Sequence, residues 1–287
     1  MPATVAIVGA GRLGRALGFR LYELGWAIGA VVTRSEKTAR AAVRAIGAGC
    51  AHAGLTRQVL AADVTLITTV DSAIAGVGAR LARMGREEWR GKVVLHTSGA
   101  LDRSVLSPLA RCGAATGSLH PLQTFGARAL PELEGIVFAL EGSPAALRVA
   151  RRMVRELGGV PAQLDGRDKP AYHAAGALVA GHVLAVMETA TRILMGAGFT
   201  RRQAGRALLP LVRQTLLNFE RLGPAAAWTG PVSRKDYATV ARHVAALRRF
   251  PREYRAAYAS LTRLAARVLA GNPDATLRRL DQILVKV

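Results

Sequence analysis

The stretch TVAIVGAGRLG, residues 4–14, decides the fold. It begins with a short β-branched apolar run, Thr4 to Gly9, which predicts a buried strand. The residues that follow predict a helix that ends at Gly25. A strand that turns directly into a helix is the first half of a βαβ unit, so we expect parallel strands connected by helices.

The glycines of this stretch have the spacing Gly9-x-Gly11-x-x-Gly14. The first permits a tight turn, the second lets the backbone approach a pyrophosphate, and the third lets the helix pack against the strand. The start of the helix, with Arg12 and Leu13, offers free N–H groups and partial positive charge to phosphates. We therefore predict that these five residues bind a dinucleotide.

Further short apolar runs continue the alternation of strands and helices. They are WAIGAVVTR (26–34), DVTLITTV (63–70), GKVVLHTSGA (91–100), GAATGSLHP (113–121) and GIVFALEG (135–142). Helical segments between them, such as the one that Ser35 caps, predict an α/β Rossmann domain with a doubly wound, mostly parallel sheet.

The second half of the chain is predicted to be all-α. A helix with the apolar density of a buried one runs from Pro170 to about Met195, Thr200 caps a helix that ends near Gly223, and another begins at Asp236 or Tyr237. We expect two domains, a dinucleotide-binding domain over 1–165 and a helical domain for substrate binding and dimerisation over 166–287.

The formal net charge of +21 is compatible with nucleic acid, anionic membranes or anionic ligands. The arginines are scattered along helices and aromatic residues make up only 5%, so we expect no nucleic-acid partner. The N-terminus lacks the pattern of a signal peptide, and the longest apolar segment, 171–187, contains two histidines. A soluble, cytoplasmic protein without a membrane partner is expected.

The end of the second predicted strand, VVTRS, bears on cofactor choice. A site that prefers NAD places an acidic residue there for the ribose hydroxyls. This chain has Thr33, Arg34 and Ser35, and its first acid is Glu36. A guanidinium and two hydroxyls suit a 2′-phosphate, since arginine binds phosphate in bidentate fashion. The prediction is NADP.

Polar residues follow three of the predicted strands, where ligands of open α/β sheets bind. Val70 and Asp71 are expected at the cofactor, with helix capping as an equal alternative for Asp71. His96 is expected to border the nicotinamide. Ser98 is a candidate donor to a substrate carbonyl or carboxylate, with a structural turn as the alternative, and His120 is expected to position the substrate.

The segment RDKPAYHAAG, residues 167–176, contains one of only five lysines among the 40 Lys and Arg residues. With Pro170 at the first helical position, Lys169 is predicted at the N-cap and His173 one turn further on. The helix dipole and a desolvating cleft should both lower the lysine pKa. Such a lysine suits proton donation to a carbonyl oxygen. The alternative is that a lysine occurs at this position by chance and has no role in proton transfer.

A rigid turn, TGPVSRKD (229–236), precedes a later helix. Arg234 is a candidate for holding a substrate carboxylate. Asp236 is expected either to orient Lys169 or to cap the helix.

The motifs GAGRLG, HTSGA, SLHPLQTF, KPAYHAAG and TGPVSRKD, in this order, resemble a family of bacterial Rossmann-like oxidoreductases whose helical C-terminal domain has no known function. That group is similar to 6-phosphogluconate dehydrogenase, the β-hydroxyacid dehydrogenases, ketopantoate reductase and pyrroline-5-carboxylate reductase. The resemblance implies a catalytic lysine at Lys169, while His173 replaces the asparagine that several relatives have four residues later.

Together these observations predict an NADP-dependent oxidoreductase. The leading hypothesis is NADPH-dependent reduction of a small anionic 2-oxo acid such as ketopantoate, with Lys169 as general acid. The alternatives are imine reduction of the pyrroline-carboxylate type, and an NADP-binding sensor without turnover. No metal site is predicted, and a homodimer is expected through the helical domain.

Overall fold

A computed structural model describes residues 3–126 and 132–284 of the chain. It divides into two compact units, Met1–Ala180 and Gly181–Val287. This division falls later than the predicted boundary at 165/166, because the start of the first long helix of the helical half packs with the sheet. The domain boundary itself stays a prediction.

The first unit contains an eight-stranded sheet in the order β3-β2-β1-β4-β5-β6-β7-β8. The strands are β1 (Thr4–Val8), β2 (Ala27–Thr33), β3 (Cys50–Ala53), β4 (Val64–Ile67), β5 (Val93–His96), β6 (Ala115–Pro121), β7 (Val137–Gly142) and β8 (Val160–Gln163). The β6–β7 pair is antiparallel, and the other pairs of described strands are parallel. The predicted class, a doubly wound and mostly parallel sheet, is confirmed.

Helices cover both faces of this sheet. The helices of the first unit are α1 (Arg12–Glu23), α2 (Glu36–Ile46), α3 (Asp71–Met84), α4 (Ser107–Arg111), α5 (Pro144–Glu156) and α6 (Lys169–Ala177). One core cluster joins the sheet to α1, α2 and α5 and includes Leu17, Ile46 and Met153. A second joins the other face to α3 and α4 and includes Ile74 and Leu109.

The order of the strands reverses beside β1, which pairs with β2 on one side and β4 on the other. Gly9 leaves β1 at this point with φ +97°, a conformation that side chains disfavour. A Cβ on Gly9 would lie 2.5 Å from Cγ2 of Thr69. The close approach creates the crevice at the carboxyl ends of the strands where such sheets bind ligands.

Two short strands, β3 and β8, were not predicted. Both lie at the edges of the sheet and are largely exposed, so neither has the apolar alternation that marks a buried strand. In β8, Pro161 is tolerated because an edge strand has a side without ladder hydrogen bonds.

The second unit is helical, as predicted. It contains α7 (Val183–Gly196), α8 (Arg201–Ala227), α9 (Tyr237–Ala246), α10 (Arg252–Leu269) and α11 (Pro273–Leu284). Thr200 and Gln203 form a capping box on α8, and Gly223 interrupts the helical geometry there with φ 77°. Asp236 caps α9 by accepting from the Thr239 N–H at 3.1 Å. The core of the second unit lies among α9, α10 and α11.

The expectation of a buried helix from Pro170 to about Met195 was wrong. Apart from Lys169 and Thr191, the residues of α6 and α7 are exposed or half-buried, because the described part of the chain covers their apolar side chains only in part. A π-helical turn, Leu178–His182, separates the two helices. The whole segment Gly166–Gly196 is long and apolar enough to cross a membrane, by length and composition alone.

Candidate active site

The start of α1 has the features of a phosphate site. Gly11 is the N-cap in extended conformation, and neither a side-chain cap nor an acidic residue occupies the first turn. A Cβ on Gly14 would lie 2.3 Å from Oγ1 of Thr68, a hydroxyl that donates to the Gly9 carbonyl at 2.6 Å. The N–H groups of the first turn, which includes exposed Arg12 and half-buried Leu13, have no helical acceptor.

Thr33 is the last residue of β2, and Arg34 and Ser35 connect it to the start of α2, as predicted. The Thr33 hydroxyl donates to the Ser35 carbonyl at 2.9 Å, and the Ser35 hydroxyl accepts from the Thr38 N–H to cap α2. Arg34 is exposed and forms no ion pair with a described residue. The first acid, Glu36, is paired with Arg40 at 2.8 Å.

The turn after β5 differs from the prediction. His96 has no exposed surface, so it cannot border a cofactor directly. Its Nδ1 accepts from the Ser98 N–H, and its Nε2 therefore donates to the Asp102 carbonyl at 3.2 Å. Burial and the nearby Lys169 lower the pKa of His96 to about 4, so the ring is neutral.

Ser98 is also held in this turn. Its hydroxyl donates to Asp71 at 2.7 Å and accepts from the N–H groups of Ala100 and Leu101. The structural alternative for Ser98 is therefore the one observed. Asp71 occupies the first turn of α3 and does not cap it; the N-cap position belongs to Val70, whose side chain is 72% exposed.

Lys169 lies at the first position of α6, and Asp168 is the N-cap, so the helix begins one residue earlier than predicted. Its side chain has no exposed surface. The ammonium donates to the Ser98 carbonyl at 3.0 Å and to the Ser118 hydroxyl at 2.8 Å. Lys169 is thus bound to the turn after β5 and to the middle of the neighbouring strand β6.

Burial lowers the pKa of Lys169 to about 8, although Glu141, Asp102 and Asp71 act in the opposite direction. Glu141 lies opposite Ser118 on β7 and accepts from the Arg103 N–H at 2.7 Å. Burial raises the pKa of Glu141. The lysine is therefore charged at neutral pH but within reach of deprotonation, which is suited to proton exchange.

Two imidazoles lie against Gly99, and the Tyr172 ring lies beside one of them. His120 Nδ1 is 2.9 Å from the Tyr172 hydroxyl, and the rings of His120 and His173 meet edge to face at 5.8 Å. A Cβ on Gly99 would lie 2.7–2.8 Å from both imidazoles. Burial and Lys169 lower the pKa of His120 to about 4, so it too is neutral. The structure thus places two predicted site residues, His120 and His173, in one group with Tyr172, which was not predicted.

Arg234 and Asp236 belong to the helical unit. Arg234 is exposed in a turn where Lys235 has a left-handed φ of 58°, and Asp236 caps α9. Capping was one of the two roles predicted for Asp236, while the predicted carboxylate contact of Arg234 stays a prediction.

Three polar residues of the site were missed from sequence: Ser118, Glu141 and Tyr172. Ser118 and Tyr172 lie within the motifs SLHPLQTF and KPAYHAAG, where the histidines and the lysine drew the prediction. A buried glutamate at the end of an apolar strand, as in GIVFALEG, is a detectable signal because unpaired acids are rarely fully buried.

Comparisons with known proteins identify both halves of the chain. Residues 2–121 match a Rossmann-like domain, and residues 136–265 match a domain of unknown function, DUF2520. This combination confirms the resemblance inferred from the motifs. No curated protein sequence matches the chain.

Solved structures share the fold at low sequence identity. A Bacteroides fragilis protein named as a candidate NADP oxidoreductase is 23% identical, with a TM-score of 0.75, covering 92% of this chain and 98% of its own. A Streptomyces aurantiacus imine reductase is 17% identical, with a TM-score of 0.66 and coverages of 99% and 98%. An Aspergillus terreus reductive aminase, solved with NADPH and ethyl-5-oxohexanoate, is also 17% identical, with a TM-score of 0.66 and coverages of 93% and 94%.

Proposed function

We propose that this protein is an NADPH-dependent reductase of a small anionic carbonyl compound, most simply a 2-oxo acid such as ketopantoate. The observation that carries the proposal is the enclosed Lys169 ammonium, which is bound to the turn after the carboxyl end of β5 and to Ser118 in β6. It lies on a Rossmann sheet, the architecture that presents a bound dinucleotide at this edge.

The residues around the crevice fit the cofactor. The uncapped start of α1 and the glycines at Gly9 and Gly14 would hold the pyrophosphate. Arg34 would pair with a 2′-phosphate, and the pairing of Glu36 with Arg40 removes the nearest acid from competition. A bound nicotinamide supplies the hydride. The likeness to a reductive aminase solved with NADPH supports this choice.

Lys169 would supply the proton for the substrate oxygen. With a pKa of about 8 it is protonated at pH 7 and yet a stronger acid than an ordinary lysine. Its two acceptors hold the ammonium in place, so proton transfer requires a substrate to replace one of them or to receive the proton through a neighbouring polar group. Arg234 would hold the substrate carboxylate.

The test is NADPH oxidation by the full-length protein, compared with NADH oxidation, in the presence of ketopantoate and of pyrroline-5-carboxylate. The proposal expects turnover with ketopantoate that prefers NADPH at least about tenfold, the value of one charge-assisted bond to a phosphate. Tight NADPH binding without turnover of either compound would contradict it and favour an NADP-binding sensor.

Imine reduction is the second candidate, and the likeness to an imine reductase favours it. An iminium is already polarised and needs no strong acid, so turnover of pyrroline-5-carboxylate that survives the loss of Lys169 would identify it.

We also propose that the protein is a cytoplasmic homodimer. Large apolar side chains on α7 and α8 are exposed in the single chain, among them Leu184, Leu216 and Phe219. A second copy of the helical unit would cover them.

A further inference from the structure

We propose that Tyr172 fixes the proton of His120 on Nε2, so that a neutral imidazole donates a hydrogen bond to an acceptor oxygen of the substrate beside Gly99. This inference rests on the proposed reductase function and deepens it, because it makes the site selective for carbonyl compounds. Tyr172 is a positioning residue in this proposal, and His120 touches the substrate.

The geometry of the two rings carries the proposal. The Tyr172 hydroxyl is 2.9 Å from His120 Nδ1, and the rings meet edge to face at 5.5 Å. Among the described residues, His120 Nε2 has no protein partner; it lies 2.8 Å from the position of a Cβ on Gly99. One ring nitrogen is thus held by the protein, while the other lies against Gly99 without a hydrogen-bond partner among the described residues.

The protonation states leave two directions for this hydrogen bond, and in the proposed one the phenol donates to Nδ1. Burial raises the pKa of Tyr172 to about 12, so its hydroxyl keeps its hydrogen. His120 is neutral at pH 7, since burial and Lys169 lower its pKa to about 4. When the phenol donates to Nδ1, the single imidazole proton must be on Nε2.

The tautomer determines the class of substrate. An Nε2–H group donates to the oxygen of a carbonyl or carboxylate but has no acceptor for the N–H of an iminium. The ammonium of Lys169, which already lowers the pKa of His120, further disfavours a cationic substrate. The opposite tautomer, with Nδ1–H donating to the tyrosine oxygen, would leave Nε2 as an acceptor and favour the imine.

The experiment is histidine ¹⁵N NMR of the full-length protein at pH 7, with the signals of His120 assigned by their loss in His120→Asn. We expect the Nε2–H pattern in the wild type and a mixture of tautomers in Tyr172→Phe. Tyr22→Phe is the matched control, because Tyr22 is exposed and outside the site. It should leave the pattern unchanged.

An Nδ1–H pattern in the wild type would overturn the proposal. A pattern in Tyr172→Phe that is identical to that of the wild type would also overturn it. Kinetics give the second readout: Tyr172→Phe should lower kcat/KM for ketopantoate about tenfold, the value of one hydrogen bond, mainly through KM. NADPH affinity should not change. If the Nε2–H tautomer is present but no carbonyl compound is turned over, the proposed reductase function fails while the assigned tautomer stands.

Discussion

At the residue scale, the chain uses arginine for nearly all its positive charges, and its buried lysine is an exception with a physical reason. Arginine keeps its proton, whereas lysine can be tuned by burial. Lys169 has no exposed surface and a pKa lowered to about 8, whereas exposed arginines such as Arg167 form surface ion pairs. The residue type therefore matches a site where a proton moves.

The lowered pKa of Lys169 predicts a pH dependence of stability. Between pH 8 and the ordinary lysine pKa of 10.5, the unfolded chain binds more protons than the folded one, so stability rises with pH. The free energy of unfolding of the wild type, relative to Lys169→Met, should increase by about 3 kcal/mol across this window. Urea denaturation at pH 7.5, 9 and 10.5 measures it. A difference that does not vary with pH would show that the amine is not desolvated.

Gly99 is predicted to be required because the imidazoles of His120 and His173 approach it closely. In Gly99→Ala the new Cβ would lie 2.7–2.8 Å from both rings and displace them. We expect kcat/KM to fall by at least about tenfold, as expected for the loss of one well-placed hydrogen bond, with NADPH affinity unchanged. Gly76→Ala is the control, since nothing lies within 4 Å of its Cβ. Equal activity in the two variants would contradict the placement.

At the element scale, we propose that the loop between β2 and α2 selects NADPH over NADH through Arg34. Removing the guanidinium in Arg34→Ala should weaken NADPH binding by about 10–100-fold, the value of a hydrogen bond to a charged group, and leave NADH binding unchanged. Arg44→Ala is the matched control, because Arg44 is an exposed arginine in the last turn of α2, away from the loop. Fluorescence titration measures both affinities. Equal losses of affinity for NADPH and for NADH would show that Arg34 does not select between the two cofactors.

Elements with their own local signals were predictable from sequence. The glycine motif located β1 and α1, Ser35 and Thr200 were identified as caps that the structure has, and capping was one of the two roles predicted for Asp236. The edge strands β3 and β8 were not predicted, because an exposed strand carries no apolar periodicity and depends on its neighbour for pairing.

At the scale of the whole molecule, the exposed apolar side chains of α7 and α8 predict a dimer. The chain has a mass of 30.3 kDa, so light scattering should give about twice this value, as for a C2 dimer. Leu216→Glu should shift the mass toward the monomer, because a charge would be buried in the interface. Leu24→Glu, at an exposed leucine of the first unit, should not. A monomeric wild type would contradict the dimer.

Contacts between distant parts of the chain explain what the sequence could not predict. His120 and Tyr172 are 52 residues apart, and Lys169 is 71 residues from its acceptor Ser98. No local pattern records such pairs, so the fold was predictable while the contacts of Lys169, His96 and Tyr172 were not. Each of these contacts depends on which part of the sheet packs against the first turn of α6.

The most direct test of the central claim is the rate of NADPH oxidation with ketopantoate in Lys169→Ala, compared with the wild type. Lys92→Ala is the control, because Lys92 also donates to a backbone carbonyl but lies elsewhere. We predict that the variant turns over ketopantoate about two to four orders of magnitude more slowly, as expected for loss of a general acid, with NADPH affinity unchanged and the control active. A rate in Lys169→Ala within about threefold of the wild type would contradict the assignment of Lys169 as the proton donor.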